Sequence, residues 1–388
     1  MPITNRRLGQ TITTTVLGEA VKAFVPSPLP PEPAIDLSVF YGALDKANQA
    51  LGRLDGLSTL LPNTNLFLYF YVRKEALLSS QIEGTQSSLT DLLLFENDQE
   101  PTTPIDDVEE VSNYVAAMNH GLERMKGGFP LSLRLIREIH GVLLRGGRGA
   151  DKQAGEFRRS QNWIGGTRPG NAHFVPPPVT HLDECLSDFE RFLHDEAHQL
   201  PVLIKAALAH VQFETIHPFL DGNGRLGRLL ITLILCMEGT ITEPILYLSL
   251  YFKARRQDYY DLLNRVRTHG DWESWIGFFL DGVTEVASGA TASAKRIIDV
   301  FAEDTARIQA HGRRASTILR VHSYFQRQPY SGVAKAASMI GLSFPATSKA
   351  IDSLITMGIL QEVSGRSRDR IFAYGRYLAV LSEGAAPL

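Results

Sequence analysis

Hydrophobic positions recur with helical spacing along most of the chain and predict a mainly α-helical protein. Apolar residues three and four apart begin near Ile35 and continue to about Phe95, with a break at 61–63. Five prolines between residues 24 and 36 exclude a helix there and indicate an extended arm. The same helical spacing returns in Ile105 to about Leu144, His181–His194, Pro201–Ile216, Leu226–Glu238, Tyr251–Arg267 and Trp272 to about Phe301.

A short stretch in the middle of the chain departs from the helical pattern. Two β-prone pieces, Asn162–Ile164 and Ala172–Val175, flank a turn that is rich in glycine and proline. A pair of such pieces around a turn is typical of a β-hairpin. The sequence therefore predicts one short hairpin within a helical region.

The last part of the chain changes character again. One helix there has Ser343 as its predicted N-cap and Gly358 as its predicted stop, and the basic turn Ser364–Asp369 joins two strands. Three helices followed by a hairpin predict a winged helix-turn-helix. The elements are the helices Ser316–Arg327, Val333–Ile340 and Phe344–Met357 and the strands Ile359–Val363 and Arg370–Tyr374.

Composition restricts the class of protein further. The chain has 388 residues, of which 44% are hydrophobic and 21% charged, the balance of a folded protein of two or three domains. The longest apolar run, Leu229–Met237, is too short to span a bilayer, and no signal peptide is visible. Cys185 and Cys236 lie in apolar helical stretches and are interpreted as buried free thiols. We expect a soluble, cytoplasmic protein without membrane contact.

Charge is distributed unevenly along the chain. The net charge is −3, yet the stretch from Arg313 to Arg376 holds ten Arg or Lys and only three acidic residues. A basic module on an acidic body indicates nucleic acid as one partner for the C-terminal part alone.

The densest chemistry lies between His217 and Arg228. Pro218 ends the preceding helix, and Gly222 and Gly224 let the backbone turn tightly and offer its N–H groups before a new helix begins. A glycine-rich loop that leads into a helix is suited to bind an anion. With a histidine, the carboxylate of Asp221 and two arginines nearby, this segment indicates phosphoryl or nucleotidyl transfer.

The segment resembles the signature of the Fic family, HxFx(D/E)GNGRxxR, at every fixed position. The family resemblance implies a helical Fic-type core with a short β-hairpin flap, and a C-terminal winged helix is a known addition in bacterial members. It also implies transfer of AMP from ATP, with Mg²⁺, to a hydroxyl side chain of a target protein. The site residues that it implies are His217 as general base, Asp221 as the Mg²⁺ ligand, and Gly222, Asn223, Gly224, Arg225 and Arg228 as ligands of ATP and its phosphates.

A second motif resembles the family's inhibitory pattern (S/T)xxxE(G/N). Ser79 and Glu83 lie four apart, so they share one face of a helix, and Gly84 is suited to end that helix. The resemblance implies that Glu83 pairs with Arg228 and blocks productive binding of the γ-phosphate of ATP, because both anions compete for one guanidinium.

The roles of two further regions stay open at this point. The residues Asn162, Trp163 and Ile164 lie where the family carries a flap that aligns the target by strand addition, although Trp163 is equally interpreted as a core residue. The C-terminal module, residues 316–388, binds DNA in one interpretation and docks protein or forms a homodimer in the other.

The sequence thus predicts an autoinhibited Fic protein adenylyltransferase. The alternatives are removal of AMP, another Fic-type transfer, or a DNA-binding regulator whose core senses nucleotides; lysine is absent at position 224, which disfavours phosphate transfer. The predicted regions are 1–104 with the inhibitory helix, 105–285 as catalytic core, 286–315 as connecting helix and 316–388 as winged helix.

Overall fold

The helical prediction agrees with a computed structural model of the chain. The structure describes residues 6–60, 64–96, 103–146, 149, 151–195, 197, 199–312, 315–365 and 369–387. The predicted helix break at 61–63 and the centre of the basic turn at 366–368 lie outside the described residues.

Eleven α-helices precede residue 310 in the described part of the chain. The two helices α7 and α8 lie at the centre, packed against each other, while α1 runs along α11. Their bounds are α1 Tyr41–Leu60, α2 Thr64–Ile82, α3 Leu89–Phe95, α4 Ile105–Lys126, α5 Leu133–Leu143, α6 Val179–Leu193, α7 Val202–Ile216, α8 Asn223–Met237, α9 Ser249–Ala254, α10 Arg256–His269 and α11 Trp272–Gln309.

The central pair is buried on nearly every side. From Leu203 to Ile216, every residue of α7 except Lys205 is buried, polar ones included, and α8 is buried throughout its first three turns apart from Gly224. Burial of one leucine or isoleucine side chain contributes about 1.5–3 kcal/mol, so this pair fixes the loop between the two helices firmly in the core. Helix α8 begins at Asn223, one turn earlier than its apolar spacing predicts.

An N-terminal β-hairpin was not predicted from the sequence. Strand β1, Gln10–Val16, pairs antiparallel with β2, Glu19–Val25. Leu17 and Gly18 form the two-residue turn, and both have positive φ (50° and 82°). Two consecutive residues with positive φ give the twist that matches antiparallel strands.

The predicted flap hairpin is wrong in its extent. Only Ile164 and Phe174 form a β-bridge, and neither Asn162–Ile164 nor Ala172–Val175 is a continuous strand. The turn takes up the intervening residues, because Gly165 and Gly166 have positive φ and a 3₁₀ helix follows at Pro169–Asn171. We call residues 162–176 the flap.

Residues 315–381 form a smaller helical unit with a three-stranded antiparallel sheet. Its strands are ordered β3, β5, β4. Ser343 caps α14 by accepting a hydrogen bond from the N–H of Ala346, as predicted. The elements are α12 Ala315–Arg327, β3 Tyr330–Gly332, α13 Val333–Ile340, α14 Phe344–Thr356, β4 Gln361–Glu362, β5 Ile371–Ala373 and α15 Gly375–Leu381.

Helix α11 links this unit to the rest of the chain. It is continuous through the predicted boundary between residues 285 and 286 and packs against both α12 and α15. Of the helices in the described part of the chain, none is long and apolar enough to cross a membrane.

Candidate active site

The loop from His217 to Gly222 joins α7 to α8 and faces an open cleft. His217 ends α7 in the left-handed conformation (φ 49°, ψ 60°), and Gly222 precedes α8 with φ 76°. A left-handed histidine is held in place by its surroundings, since a residue with a Cβ rarely adopts this conformation. The cleft has an empty volume of about 510 Å³ and is lined by Glu83, Glu110, His217, Leu220, Asp221, Gly222, Asn223, Gly224 and Arg225.

The imidazole of His217 is neutral. Its Nδ1 lies 3.4 Å from the backbone carbonyl of Glu214, and a carbonyl only accepts, so Nδ1 carries the proton and Nε2 the lone pair. Burial, and after it the positive charge of Arg267, lowers the pKa of His217 to about 3. A histidine in this state can accept a proton from a substrate at neutral pH.

Asn223 closes the loop on itself. Its side-chain oxygen accepts from the N–H of Phe219 at 2.9 Å, and its amide donates to the carbonyl of Phe219 at 2.9 Å. Both ends of this buried amide are therefore engaged by the loop. A phosphate contact at residue 223 would use the backbone N–H, because the first N–H groups of a helix have no intrahelical acceptor.

His140 on α5 holds the loop by a hydrogen bond and by ring stacking, a role that the sequence did not reveal. Its Nδ1 accepts from the N–H of Gly155 at 2.8 Å, so Nε2 donates to the carbonyl of Asp221 at 3.0 Å. The ring stacks on buried Phe219, with 3.7 Å between centroids. Burial lowers the pKa of His140 to about 4, which keeps this arrangement intact at neutral pH.

Two further side chains, Arg158 and Asn162, donate hydrogen bonds to backbone carbonyls of the loop between α7 and α8. Buried Arg158 donates from Nε to the carbonyl of His217 at 3.0 Å. Asn162 donates to the carbonyl of Phe219 at 2.8 Å. Asn162, predicted as a flap residue, thus ties the flap to the loop. No pattern in the sequence marks Arg158 for this role.

Asp221 offers a carboxylate at the edge of the cleft. Its Oδ1 accepts from the N–H of Gly222 at 2.6 Å and lies 3.6 Å from Nη2 of Arg225. Among the described residues, no group of three or more His, Cys, Asp or Glu could hold a metal ion. Magnesium needs no such group when phosphates supply its other ligands. A single carboxylate here fits an ion shared with a nucleotide.

Arg225 is fixed by a buried ion pair. Its Nη1 lies 3.1 Å from Oε1 of Glu110 on α4, and both side chains are almost fully enclosed. Removing either charge from such a pair is strongly unfavourable, because the other is then left without compensation. The guanidinium is therefore held at the cleft by α4.

Arg228 is bound by both residues of the predicted inhibitory motif. Its Nη2 donates to Oε1 of Glu83 at 2.6 Å and to the carbonyl of Ser79 at 3.0 Å, and its Nε donates to Oγ of Ser79 at 2.8 Å. Burial opposes the charge of Glu83, but Arg228 outweighs it and lowers the pKa of this carboxyl. Gly84 follows the end of α2 with φ 105°, as predicted for a helix stop.

The last turn of α2 is also anchored to the end of the described chain. Gln81, two residues before Glu83, donates to the carbonyls of Ser87 (2.9 Å) and Ala385 (3.0 Å). Its side-chain oxygen accepts from Nζ of Lys253 at 2.7 Å, and Lys253 also donates to the carbonyl of Ala386.

The cleft thus unites the motif loop, the start of α8 and Glu83, whereas the flap residues do not line it, although Asn162 binds the backbone of the loop. Ile164 forms the bridge to Phe174. Trp163 does not line the cleft and instead packs against the N-terminal hairpin.

Two regions of the chain match the models of one known protein family. Residues 41–123 match the Fic/DOC family N-terminal region, and residues 130–235 match the Fic/DOC family domain. These two matches identify Fic/DOC family domains in this chain.

Curated relatives are named Protein adenylyltransferase Fic. The protein from Culex quinquefasciatus is 32% identical over 246 residues, which cover 62% of this chain and 45% of that protein. The protein from Aedes aegypti is 32% identical over 207 residues, 52% of this chain and 38% of that protein. The chain thus matches less than half the length of these relatives.

Solved structures share the fold. A Fic family protein from Desulfovibrio desulfuricans G20 superposes with a TM-score of 0.56 and 21% identity, covering 86% of this chain and 95% of that one. A Fic domain containing signalling protein from Bacteroides thetaiotaomicron gives 0.51 and 18%, covering 64% and 95%.

Proposed function

We propose that this protein transfers AMP from ATP to a Ser, Thr or Tyr hydroxyl of a target protein and releases pyrophosphate. The observation that carries the proposal is the convergence of His217, Asp221 and the first turn of α8 on one cleft. A proton acceptor, a carboxylate and a set of helix N-terminal N–H groups are what nucleotidyl transfer requires. The relatives named adenylyltransferase support the same reaction.

In this mechanism His217 takes the proton of the target hydroxyl at Nε2. The hydroxyl oxygen forms a bond to the α-phosphorus, and the bond from that phosphorus to the α,β-bridging oxygen breaks. Pyrophosphate leaves with the electron pair, and the target keeps AMP as a phosphodiester. Because Nδ1 is directed at the carbonyl of Glu214, the ring keeps the tautomer that the step needs.

The rest of the site positions and neutralises the phosphates. The N–H groups of Asn223 and Gly224 would bind phosphate oxygens, joined by that of Gly222 when it is released from Asp221, and Arg225 and Arg228 would balance the charge of the leaving pyrophosphate. Asp221 would hold Mg²⁺, which when bound neutralises charge on the α- and β-phosphates. Since Arg225 is fixed by Glu110, its charge is in place before ATP arrives.

Glu83 would keep the enzyme inactive by occupying Arg228. The ion pair at 2.6 Å is reinforced by two bonds from Arg228 to Ser79. The γ-phosphate would have to replace the carboxylate, so ATP would bind weakly or with a misplaced α-phosphate.

Removal of AMP is a second candidate. Glu83 and His217 line the same cleft, and a carboxylate beside a neutral histidine can orient a water toward a phosphodiester. This candidate requires Glu83 for activity, whereas AMP transfer requires its release.

For the C-terminal unit we propose a winged helix that contacts DNA. The order of α12, β3, α13, α14 and the strands β4 and β5 supports this assignment. Lys349 on α14 is exposed, as a recognition helix needs. Binding of a duplex by the full chain that weakens with salt, and weakens further in Lys349→Glu, would support it. Salt-insensitive or absent binding would favour protein docking.

The main proposal is tested with ATP labelled at either the α- or the γ-phosphate. Wild type, Glu83→Gly and Glu83→Gly with His217→Ala are incubated with Mg²⁺ and cell lysate. AMP transfer predicts protein-bound label from the α-position only, at least tenfold stronger in Glu83→Gly and lost without His217.

Other results discriminate among the alternatives. Label from the γ-position would indicate phosphate transfer. If no variant transfers label, AMP transfer is rejected, and release of AMP from previously modified lysate proteins by wild type but not by Glu83→Gly would identify AMP removal.

A further inference from the structure

The N-terminal hairpin and the flap share a small hydrophobic core, although they lie far apart in the sequence. Val16, Val21 and Ala23 of the hairpin are buried together with Val175 of the flap. Trp163 and Ala172 of the flap pack against this cluster, which is separate from the main core. The two segments therefore fold against each other as one unit.

Backbone hydrogen bonds continue from the hairpin into the flap. The N–H of Phe24 in β2 donates to the carbonyl of Val175 at 2.9 Å. Phe174, the preceding residue, bridges to Ile164. One backbone hydrogen bond thus joins β2 to residues 174–175, and one bridge joins these to residues 162–164, so the segments lie side by side in the order β1, β2, 174–175 and 162–164. The last piece is the outer edge, and Asn162 ties it to the loop of His217.

This support matters because the flap alone is too short to be stable. An isolated two-stranded hairpin is only marginally stable in water, and the flap has even less pairing, a single β-bridge. Additional strands with an apolar face increase the stability of such a structure. The hairpin supplies both the strands and the apolar face.

Phe174 also connects the flap to the helix that carries the catalytic loop. Its ring lies 6.2 Å from the ring of Phe24 and 4.1 Å from the guanidinium carbon of Arg267. Partly buried Arg267 donates to Oγ1 of Thr215 at 3.1 Å and to the carbonyl of Glu214 at 3.3 Å. These two residues lie in the last turn of α7, which ends at Ile216, the residue before His217.

Two polar contacts set the hairpin in register on the core. Glu19 and Arg168 form an ion pair at 2.8 Å across the turns of hairpin and flap. Gln212 of α7 donates to the carbonyl of Ser27 at 2.9 Å, just after β2. The exposed ion pair contributes little energy but selects one alignment.

We propose that the β1–β2 hairpin supports the target-binding surface. It holds the flap in place, so that residues 162–164 can take the role that the family resemblance implies for them, alignment of an extended, hydroxyl-bearing segment of the target protein by strand addition. This proposal rests on the proposed AMP transfer. It assigns to residues 10–25 a role in target recognition, and these residues should not affect ATP binding, which takes place in the cleft.

The test replaces a buried residue of the shared cluster in the active background. Glu83→Gly is compared with Glu83→Gly carrying Ala23→Glu, which buries a carboxylate between hairpin and flap. The control carries Thr15→Glu, the same new side chain at an exposed position of β1. Hydrogen exchange of peptides covering 162–176 should be at least tenfold faster with Ala23→Glu and unchanged with Thr15→Glu.

Label transfer from α-labelled ATP to lysate proteins gives the functional measurement. At limiting lysate, Ala23→Glu should reduce labelling at least fivefold, and labelling should recover as the lysate concentration rises. ATP affinity by calorimetry and the thermal midpoint of the main unfolding transition should match the control. Labelling that stays low at saturating lysate would indicate damage to the site and overturn the docking role.

Reversing the ion pair between Glu19 and Arg168 gives a second test that does not depend on a buried substitution. Arg168→Glu should accelerate exchange in the flap, and Arg168→Glu with Glu19→Arg should restore it. Unchanged exchange in Ala23→Glu overturns the coupling, whether or not AMP is transferred. If exchange rises but labelling and its lysate dependence stay as in the control, the docking role is wrong. Absence of label in Glu83→Gly with an intact hairpin overturns the proposed function and this inference with it.

Discussion

Gly224 lies directly against the carboxylate of Glu83. A Cβ at position 224 would overlap Oε1 of Glu83 and stand 3.1 Å from Nη1 of Arg228. The same Oε1 accepts the hydrogen bond from Arg228 at 2.6 Å. Because residue 224 has no side chain, Glu83, directly after α2, can place its carboxylate on the guanidinium of Arg228. This role of Gly224 is separate from any contact of its N–H with phosphate.

This contact makes Gly224→Ala a test of the ion pair. In the wild-type background the new methyl group should displace Glu83, which relieves inhibition and offsets any harm to phosphate binding. In the Glu83→Gly background Gly224→Ala can only harm phosphate binding, so it should lower AMP transfer more. We expect the rate ratio of Gly224→Ala to its parent to differ at least tenfold between the two backgrounds, about 1.4 kcal/mol of coupling. Initial rates of the four variants in this cycle measure it. Equal ratios would show that the methyl group leaves the pair intact.

Ser79→Ala should release the enzyme in part. The change removes the acceptor of Arg228 Nε, while the bond to the Ser79 carbonyl remains. A hydrogen bond to a charged group contributes about 1.5–3 kcal/mol, so AMP transfer should rise about tenfold or more but stay below that of Glu83→Gly. Ser80→Ala is the matched control, since the buried Ser80 hydroxyl has no hydrogen-bond partner among the residues that the structure describes. An increase as large in the control would argue against the role of Ser79.

Inhibition by Glu83 should not depend on pH in the range from 8 to 5.5. Burial alone would raise the pKa of Glu83, but Arg228 lowers it below the usual 4.5, so the carboxylate stays ionised throughout this range. The pair and its stabilising energy are lost only as the pH falls through that lowered pKa. The ratio of Glu83→Gly to wild-type rates at each pH measures the inhibition. A ratio that shrinks between pH 7 and 5.5 would contradict the prediction.

His217 should not titrate above pH 5 in the protein without nucleotide. Its pKa is about 3, lowered first by burial and then by Arg267. Arg267→Met removes the positive charge that disfavours the imidazolium, so the pKa of His217 should rise. NMR titration of the histidine rings measures both values. The pKa of His140, about 4 and set first by burial, is the internal control and should not move.

The grouping of residues in the cleft could be predicted because most of them are contiguous in sequence. The segment from His217 to Arg228 contains the histidine, the carboxylate, the turn and the arginines. The pairing of Glu83 with Arg228 followed from a second short motif. Asn223 shows the limit of this approach, since its amide binds the loop backbone and no motif reveals that direction.

The residues that hold the loop of the site in place could not be predicted from the sequence. His140 and Arg158 bind backbone carbonyls of a loop distant in sequence, and such contacts depend on how the helices pack. The strands Gln10–Val16 and Glu19–Val25 were overlooked because threonines blur their alternation and Leu-Gly is an unusual hairpin turn. The flap is shorter than predicted because its glycines and 3₁₀ turn leave room for one bridge.

The anchoring of Gln81 to Lys253 and Ala385 limits how such a chain can evolve by exchanging parts. A C-terminal unit taken from another protein that places no carbonyls there would remove the acceptor of Lys253 at Ala386 and that of Gln81 at Ala385. Gln81 lies two residues before Glu83 along the chain. Recombination at α11 would therefore alter the basal activity of the catalytic part before the new unit bound anything. Lineages that change this unit should change position 81 together with it.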